Sequence, residues 1–300
     1  MSFADKFKEF YTKNYKKLVI LPIILIILSL IIIFNQVSKT NDIFNKDVSL
    51  KGGITVTIYS KDPIDINSLK FQLSNKFTDV NIHRLSEFGS DEQIGVIIDV
   101  AEIDESTLKS TLEEFLNIKL TEENYSIEVV GSSLGTSFYN QMIKALIFAF
   151  ILMALVVFIA YRSFIPSIAV VLAALFDITV TIAILNLIDF RISTAGIAAL
   201  LMLIGYSVDT DILQTTRVLK KREPTPIEGV LSSMKTGLTM TITSIAAVFV
   251  GYMLSTSSVF KEIFLIINIG LLVDIIMTYC MNAPILISYQ LRKESKQNIQ

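Results

Sequence analysis

The sequence predicts an α-helical polytopic membrane protein with six transmembrane helices and an extracytoplasmic α+β domain of ferredoxin-like (βαββαβ) pattern between helices 1 and 2. Three observations carry this. The 300 residues are 52% hydrophobic and only 18% charged, with a mean hydropathy of +0.59, too apolar for a soluble domain of that length. Apolar runs recur at lengths near the ~20 residues that cross ~30 Å of hydrocarbon. Between the first two runs the chain turns acidic and alternates as strands do.

Uncharged runs lie at Leu18–Phe34, Ala145–Tyr161 and Thr236–Phe260. Three more are broken by internal carboxylates: Ser167–Ile188 by Asp177, Ile192–Leu213 by Asp209 and then Asp211, and Phe264–Leu291 by Asp274. Lys6, Lys8, Lys13, Lys16 and Lys17 precede the first run and resemble the start of a signal peptide. That run is long, contains Pro22 and is followed by no small-residue cleavage site, so an uncleaved signal anchor is expected. Six alternating spans place this basic start, Arg162, the cluster Arg217–Lys220–Lys221–Arg222, Lys235 and Arg292–Lys293–Lys296 on one side. By the positive-inside rule both termini of this multi-pass plasma-membrane protein are cytoplasmic. The expected divisions are a basic N-terminus (1–17), helix 1 (18–38), an outer domain (39–138), a five-helix block (139–291) and a tail (292–300).

Asn35–Asn140 carries 17 acidic and 9 basic residues, a net −8, which solubility and the positive-inside rule explain. Within it "GITVTIYS" alternates, and "DPIDINSLKFQLSNKF" places Ile66, Leu69, Leu73 and Phe77 at helical spacing. "DVNIHRLSEF" and "QIGVIIDV" read as strands around the turn-prone "GSDE". "DESTLKSTLEEFLNI" opens on a cap at Asp104 and repeats Leu108, Leu112 and Phe115, and "NYSIEVVG" closes the set. This β-α-β-β-α-β order is the split βαβ pattern, which by itself assigns no function. Gly52 and Gly53 sit where the chain leaves the first helix, as a turn or as a hinge on which the domain swings.

Composition also restricts the chemistry. Cys280 is the one cysteine and His83 the one histidine, so no intrachain disulfide and no thiolate metal cluster is expected. No phosphate-binding glycine loop occurs, and the basic residues lie at membrane boundaries rather than in a nucleic-acid-binding patch. No cofactor, metal or nucleic-acid partner is therefore expected.

What stands out is carboxylates inside apolar runs, which normally face the bundle interior, water or a partner. Asp177 has Ala173 and Thr181 one turn to either side. Asp274, Thr278 and Asn282 follow at i, i+4 and i+8, and Thr236, Thr239 and Thr243 share a face. Asp209 and Asp211 stand about 200° apart around a helix, so one of them at most faces the centre. Asp211, nearer Arg217 and the lysines, is expected at the interface, and Asp209 inside. Such acids either bond helices together or relay protons, since a desolvated carboxyl can exchange protons near neutral pH.

Four stretches carry a family resemblance: "IGYSVDTDIL…TRVLKK", the preceding "LFDITVT", "KGGITVTI", and "VGSSLGTSFYNQMIKAL" leading into the second run. Over nearly its whole length the chain resembles the SecF family of the Sec protein-export machinery, in its archaeal form, within the resistance-nodulation-division superfamily. The resemblance implies a protein that is not an enzyme. With a SecD-like subunit it would use the proton gradient to help a polypeptide through the Sec channel. In Gly205, Tyr206, Ser207 and the acids that follow, Thr210 occupies the bacterial SecF acid position and Asp209 matches the SecD aspartate. Thr239 stands where bacterial SecF carries an arginine, so a bacterial-type ion pair is not implied. Asp209 is the expected coupling acid, with Asp177 completing a relay. Rival readings are a passive scaffold for SecD, a small-molecule exporter of the same superfamily, and an intramembrane aspartyl protease. The protease signature fails, because Phe176 rather than Tyr precedes Asp177.

Overall fold

An amphipathic helix ahead of the first apolar run opens the chain. It is α1 (Phe3–Leu18), and it meets α2 (Ile20–Thr40) at Val19. The computed structural model describes residues 3–60, 62–77, 79–86, 92–101, 104–121, 123–220 and 224–297. Lys221, Arg222 and most of the "GSDE" turn lie outside the described residues. Helix α2 outlasts its apolar run, and in the added turn the Ser38 and Thr40 hydroxyls donate back to the carbonyls of Phe34 and Gln36. It ends where Asn41 takes a left-handed φ of 61°.

A four-residue helix that sequence reading missed, α3 (Val48–Lys51), is capped by the Asp47 carboxylate accepting from Ser49 N–H. After it come β1 (Gly53–Tyr59), α4 (Ile66–Lys76), β2 (Val80–Ser86), β3 (Gln93–Val100), α5 (Glu105–Leu116) and β4 (Tyr125–Val130). The sheet order is β2-β3-β1-β4, antiparallel throughout. Alternation decides the two faces. Val56, Ile58, Val96, Ile98 and Val100 pack against Leu69 and Leu73 of α4 and Leu108 and Leu112 of α5. Thr55, Thr57 and Asp99 line the opposite face, which overlooks the helix block.

The block comprises α6 (Ser132–Tyr161), α7 (Phe164–Leu187), α8 (Thr194–Leu219), α9 (Pro226–Leu254), α10 (Ser258–Met277), a π-helical turn (Thr278–Asn282) and α11 (Ala283–Gln297). Six helical segments are long and apolar enough to cross a membrane: Lys8–Thr40, α6, α7, α8, α9 and Ser258–Gln297. Helix α6 begins well before its apolar run. The last span is not the uninterrupted α-helix that the 264–291 run suggested. Pro284 lacks an N–H and its ring crowds the carbonyl one turn back, and the wider π turn lies just before it. Helices α7, α8 and α10 form the centre, while α2, α6 and α9 present most of their surface outward.

Domain and block meet at a polar seam. Ile192 N–H donates to Asn45 O (2.8 Å) and Asp47 N–H to Ile192 O (3.0 Å), and Arg191 and Lys51 both pair with Asp79 at 2.6 and 3.0 Å. The glycines at this exit lie close against neighbouring backbone. A Cβ on Gly52 (φ +90°) would lie 2.4 Å from Ser132 Cα, and one on Gly53 (φ +141°) 2.5 Å from Val100 O.

Candidate functional site

Helical phase brings three carboxylates to the centre of the block. On α8, Ser207, Asp211, Gln214 and Thr215 recur at i, i+4, i+7 and i+8 and are fully buried, on the face turned to α7 and α10. Asp177 from the middle of α7 and Asp274 near the end of α10 enter the same space, and all three aspartates have 0% exposure.

The bonds around them fall into two groups, Ser207 with Asp177 and Thr278 with Asp211 and Asp274. Ser207 Oγ donates to Asp177 Oδ2 at 2.6 Å. Thr278 Oγ1 lies 3.1 Å from Asp211 Oδ1 and also 3.1 Å from Asp274 Oδ1. Asn282 Nδ2 donates to Asp211 Oδ1 at 2.7 Å, and Gln214 Nε2 to Thr278 O at 3.4 Å. A hydroxyl carries one proton, so Thr278 can donate to only one of its two aspartates at a time. Asp177 Oδ1, Asp211 Oδ2 and Asp274 Oδ2 are buried without a protein partner among the described residues. No Lys or Arg there pairs with any of the three acids. Among the described residues no set of three or more His, Cys, Asp or Glu side chains is arranged to hold a metal ion.

The two aspartates of α8 are placed the opposite way to the sequence expectation. Asp211 is inside, while Asp209 is exposed on a face shared with Met202, Gly205 and Tyr206. The 200° separation holds, but distance to the basic cluster does not set its phase. Arg217 does not reach either acid; its guanidinium donates to Ser232 Oγ at 2.6 Å. Thr210 is buried and bonds only weakly to the Tyr206 carbonyl, at 3.5 Å. Thr236, Thr239 and Thr243 face outward, and the hydroxyls of Thr239 and Thr243 turn back to carbonyls of their own helix, so α9 contributes Thr241 to the interior instead. Sequence reading missed Gln214 and Thr215, although their spacing from Asp211 was there to be found. A cavity of about 550 Å³ lies between the open sheet face and the loops of the block. There Asp99 accepts from Thr55 Oγ1 at 2.7 Å and lies 3.7 Å from His83 Nε2. Burial and then the charge of Asp47 push the Asp99 carboxyl up to about 6, against the Thr55 bond and Arg191.

A family model described as the C-terminal part of the protein export membrane protein SecD/SecF matches residues 110–292. The protein-export membrane protein SecF of Methanocaldococcus jannaschii is 37% identical over 284 residues, covering 92% of this chain and 96% of that protein. The chain belongs to the SecF family. The SecF of Pyrococcus furiosus is 34% identical over 293 residues, covering 98% and 97% of the two chains. Among solved structures, SecDF of Thermus thermophilus, described as a translocon-associated membrane protein, superposes with a TM-score of 0.74 at 18% identity. That match covers 97% of this chain and 40% of the solved one, so it speaks for the fold, and the chain spans less than half the length of that protein.

Proposed function

We propose that this protein-export membrane protein works with a SecD-like subunit, and that protons moving through the Asp177–Asp211–Asp274 cluster assist polypeptide passage through the Sec channel. The observation that carries the reading is three fully buried carboxylates with no paired cation among the described residues, two of them sharing one hydroxyl. Three ionised carboxylates so placed would repel one another in a medium that solvates them poorly, so protons supply the neutralisation. The exposed face of α8 with Gly205, Tyr206 and Asp209 is the surface the SecD-like subunit covers. The lysine distribution supports cytoplasmic termini and an extracytoplasmic domain, and the strand order supports a ferredoxin-like assignment for that domain.

The test is gradient-stimulated translocation in proteoliposomes containing the Sec channel, the SecD-like subunit and this chain. Asp211→Asn and Asp274→Asn keep shape and hydrogen-bonding capacity, and are expected to assemble and lose the stimulation. If those two and Asp177→Asn all export like the unaltered chain, the protein is a passive scaffold and the proton path lies in its partner.

A further inference from the structure

At the membrane boundary nearest the N-terminus, three distant parts of the chain enclose a groove of about 350 Å³. The end of α1 contributes Lys16, the start of α7 contributes Ile165, and α11 contributes Ile285, Tyr289 and Arg292, with Val19 between the first two helices. Lys16 precedes the apolar helix α2 and Arg292 follows the last apolar turns of α11, so both cations lie at the ends of apolar segments and line one groove. Neither has a carboxylate partner among the described residues, and Lys16 has only a distant approach to the Tyr15 ring, 5.9 Å from its centroid. Below them Val19, Ile165, Pro284 and Ile285 make the walls mainly apolar, with Ser288 and Tyr289 also in the lining, and Ile165 is 51% exposed.

We infer that this groove binds an anionic phospholipid, its headgroup phosphate between Lys16 and Arg292 and an acyl chain along Val19, Ile165 and Ile285. The charge pattern selects the ligand. A zwitterionic headgroup brings a cation of its own against two cations, whereas an anionic one completes the site. The apolar walls suit an acyl chain, which a free phosphate lacks. Juxtamembrane basic groups favour anionic lipid by a factor of about five each, so the two together favour it about 25-fold.

The probe is phosphatidylglycerol. The full chain is reconstituted in nanodiscs of phosphatidylcholine with a minor share of phosphatidylglycerol, moved to detergent, and the lipid it retains is counted by native mass spectrometry. Phosphatidylglycerol is expected to be enriched over its bulk share. The K16Q/R292Q double variant should lower that enrichment about 25-fold, while K6Q/K296Q, which removes the same charge from positions outside the groove, leaves it unchanged. Ile285→Trp keeps both cations, fills the groove and should also displace the lipid. Equal losses in the two double variants, retention in Ile285→Trp, or no enrichment at all would overturn the site. So would displacement by millimolar inorganic phosphate, which would make the ligand a free anion. Unchanged helical circular dichroism in each variant separates loss of the site from loss of fold.

Discussion

The sheet domain and the helix block are built on opposite plans. In the domain, Val56, Ile58, Leu73, Ile98, Leu108 and Leu112 fill the interior, and Asp99 and Thr111 are its buried polar side chains among the described residues. In the block, Ile151, Leu155 and Phe249 face outward, while Asp177, Ser207, Asp211, Gln214, Asp274 and Asn282 are inside. Surrounding medium accounts for the inversion. Water rewards apolar burial and solvates charge at the surface, whereas hydrocarbon is indifferent to Leu and rejects carboxylates. A buried acid in the domain is therefore a local cost, and a buried acid in the block is where the proposed function looks for its proton path.

The sharpest break of this comparison is between the two acids of α8. Asp211→Asn should abolish gradient-stimulated export, whereas Asp209→Asn should reduce it far less; a reversed order, measured in the same proteoliposomes, would place the coupling acid on the outward face. The next effect concerns the apolar interiors. Residues 47–131, expressed alone, should melt cooperatively, and Leu73→Ala should cost about 3 kcal/mol in chemical denaturation. Leu272→Ala, on the outward side of α10, should leave the melting of the full chain within about 0.5 kcal/mol.

Asp99 sharpens the comparison from the domain side. Its carboxyl is held near 6 in the folded protein against an ordinary value of 3.8, so the native state binds the proton more tightly than the unfolded chain. Stability from this group is fully present below about pH 4 and is lost as pH rises through 6, a change of up to about 3 kcal/mol. Thermal melts of the full chain between pH 4 and 7 should show this slope, and Asp99→Asn should flatten it. The smallest expected effect is that of Asp209→Asn on stability, within about 0.5 kcal/mol for a residue outside the packed interior of the isolated chain. Weaker co-purification of a SecD-like subunit with that variant would identify the outward face of α8 as the partner's.

Much of this was legible in the residues themselves. Apolar run length announces a membrane span because hydrocarbon thickness is a fixed requirement, and the alternation of "GITVTIYS" and "QIGVIIDV" announces strands because side chains point to opposite faces in turn. The intramembrane acids were equally plain, since few residues are as expensive there. The direction in which each acid points was not. Asp209 and Asp211 obey the same helical period, and only the neighbours of α8 decide which face is the inside; those neighbours, α7 and α10, are reached through loops whose geometry no local pattern encodes. Thr278 could be placed on the stripe of Asp274 from spacing alone, but its contact with Asp211 depends on two helices crossing. Local periodicity determined which elements form and which residues are costly to bury. Tertiary packing alone decided which of those residues meet, because a meeting is a property of two surfaces and a sequence pattern describes one.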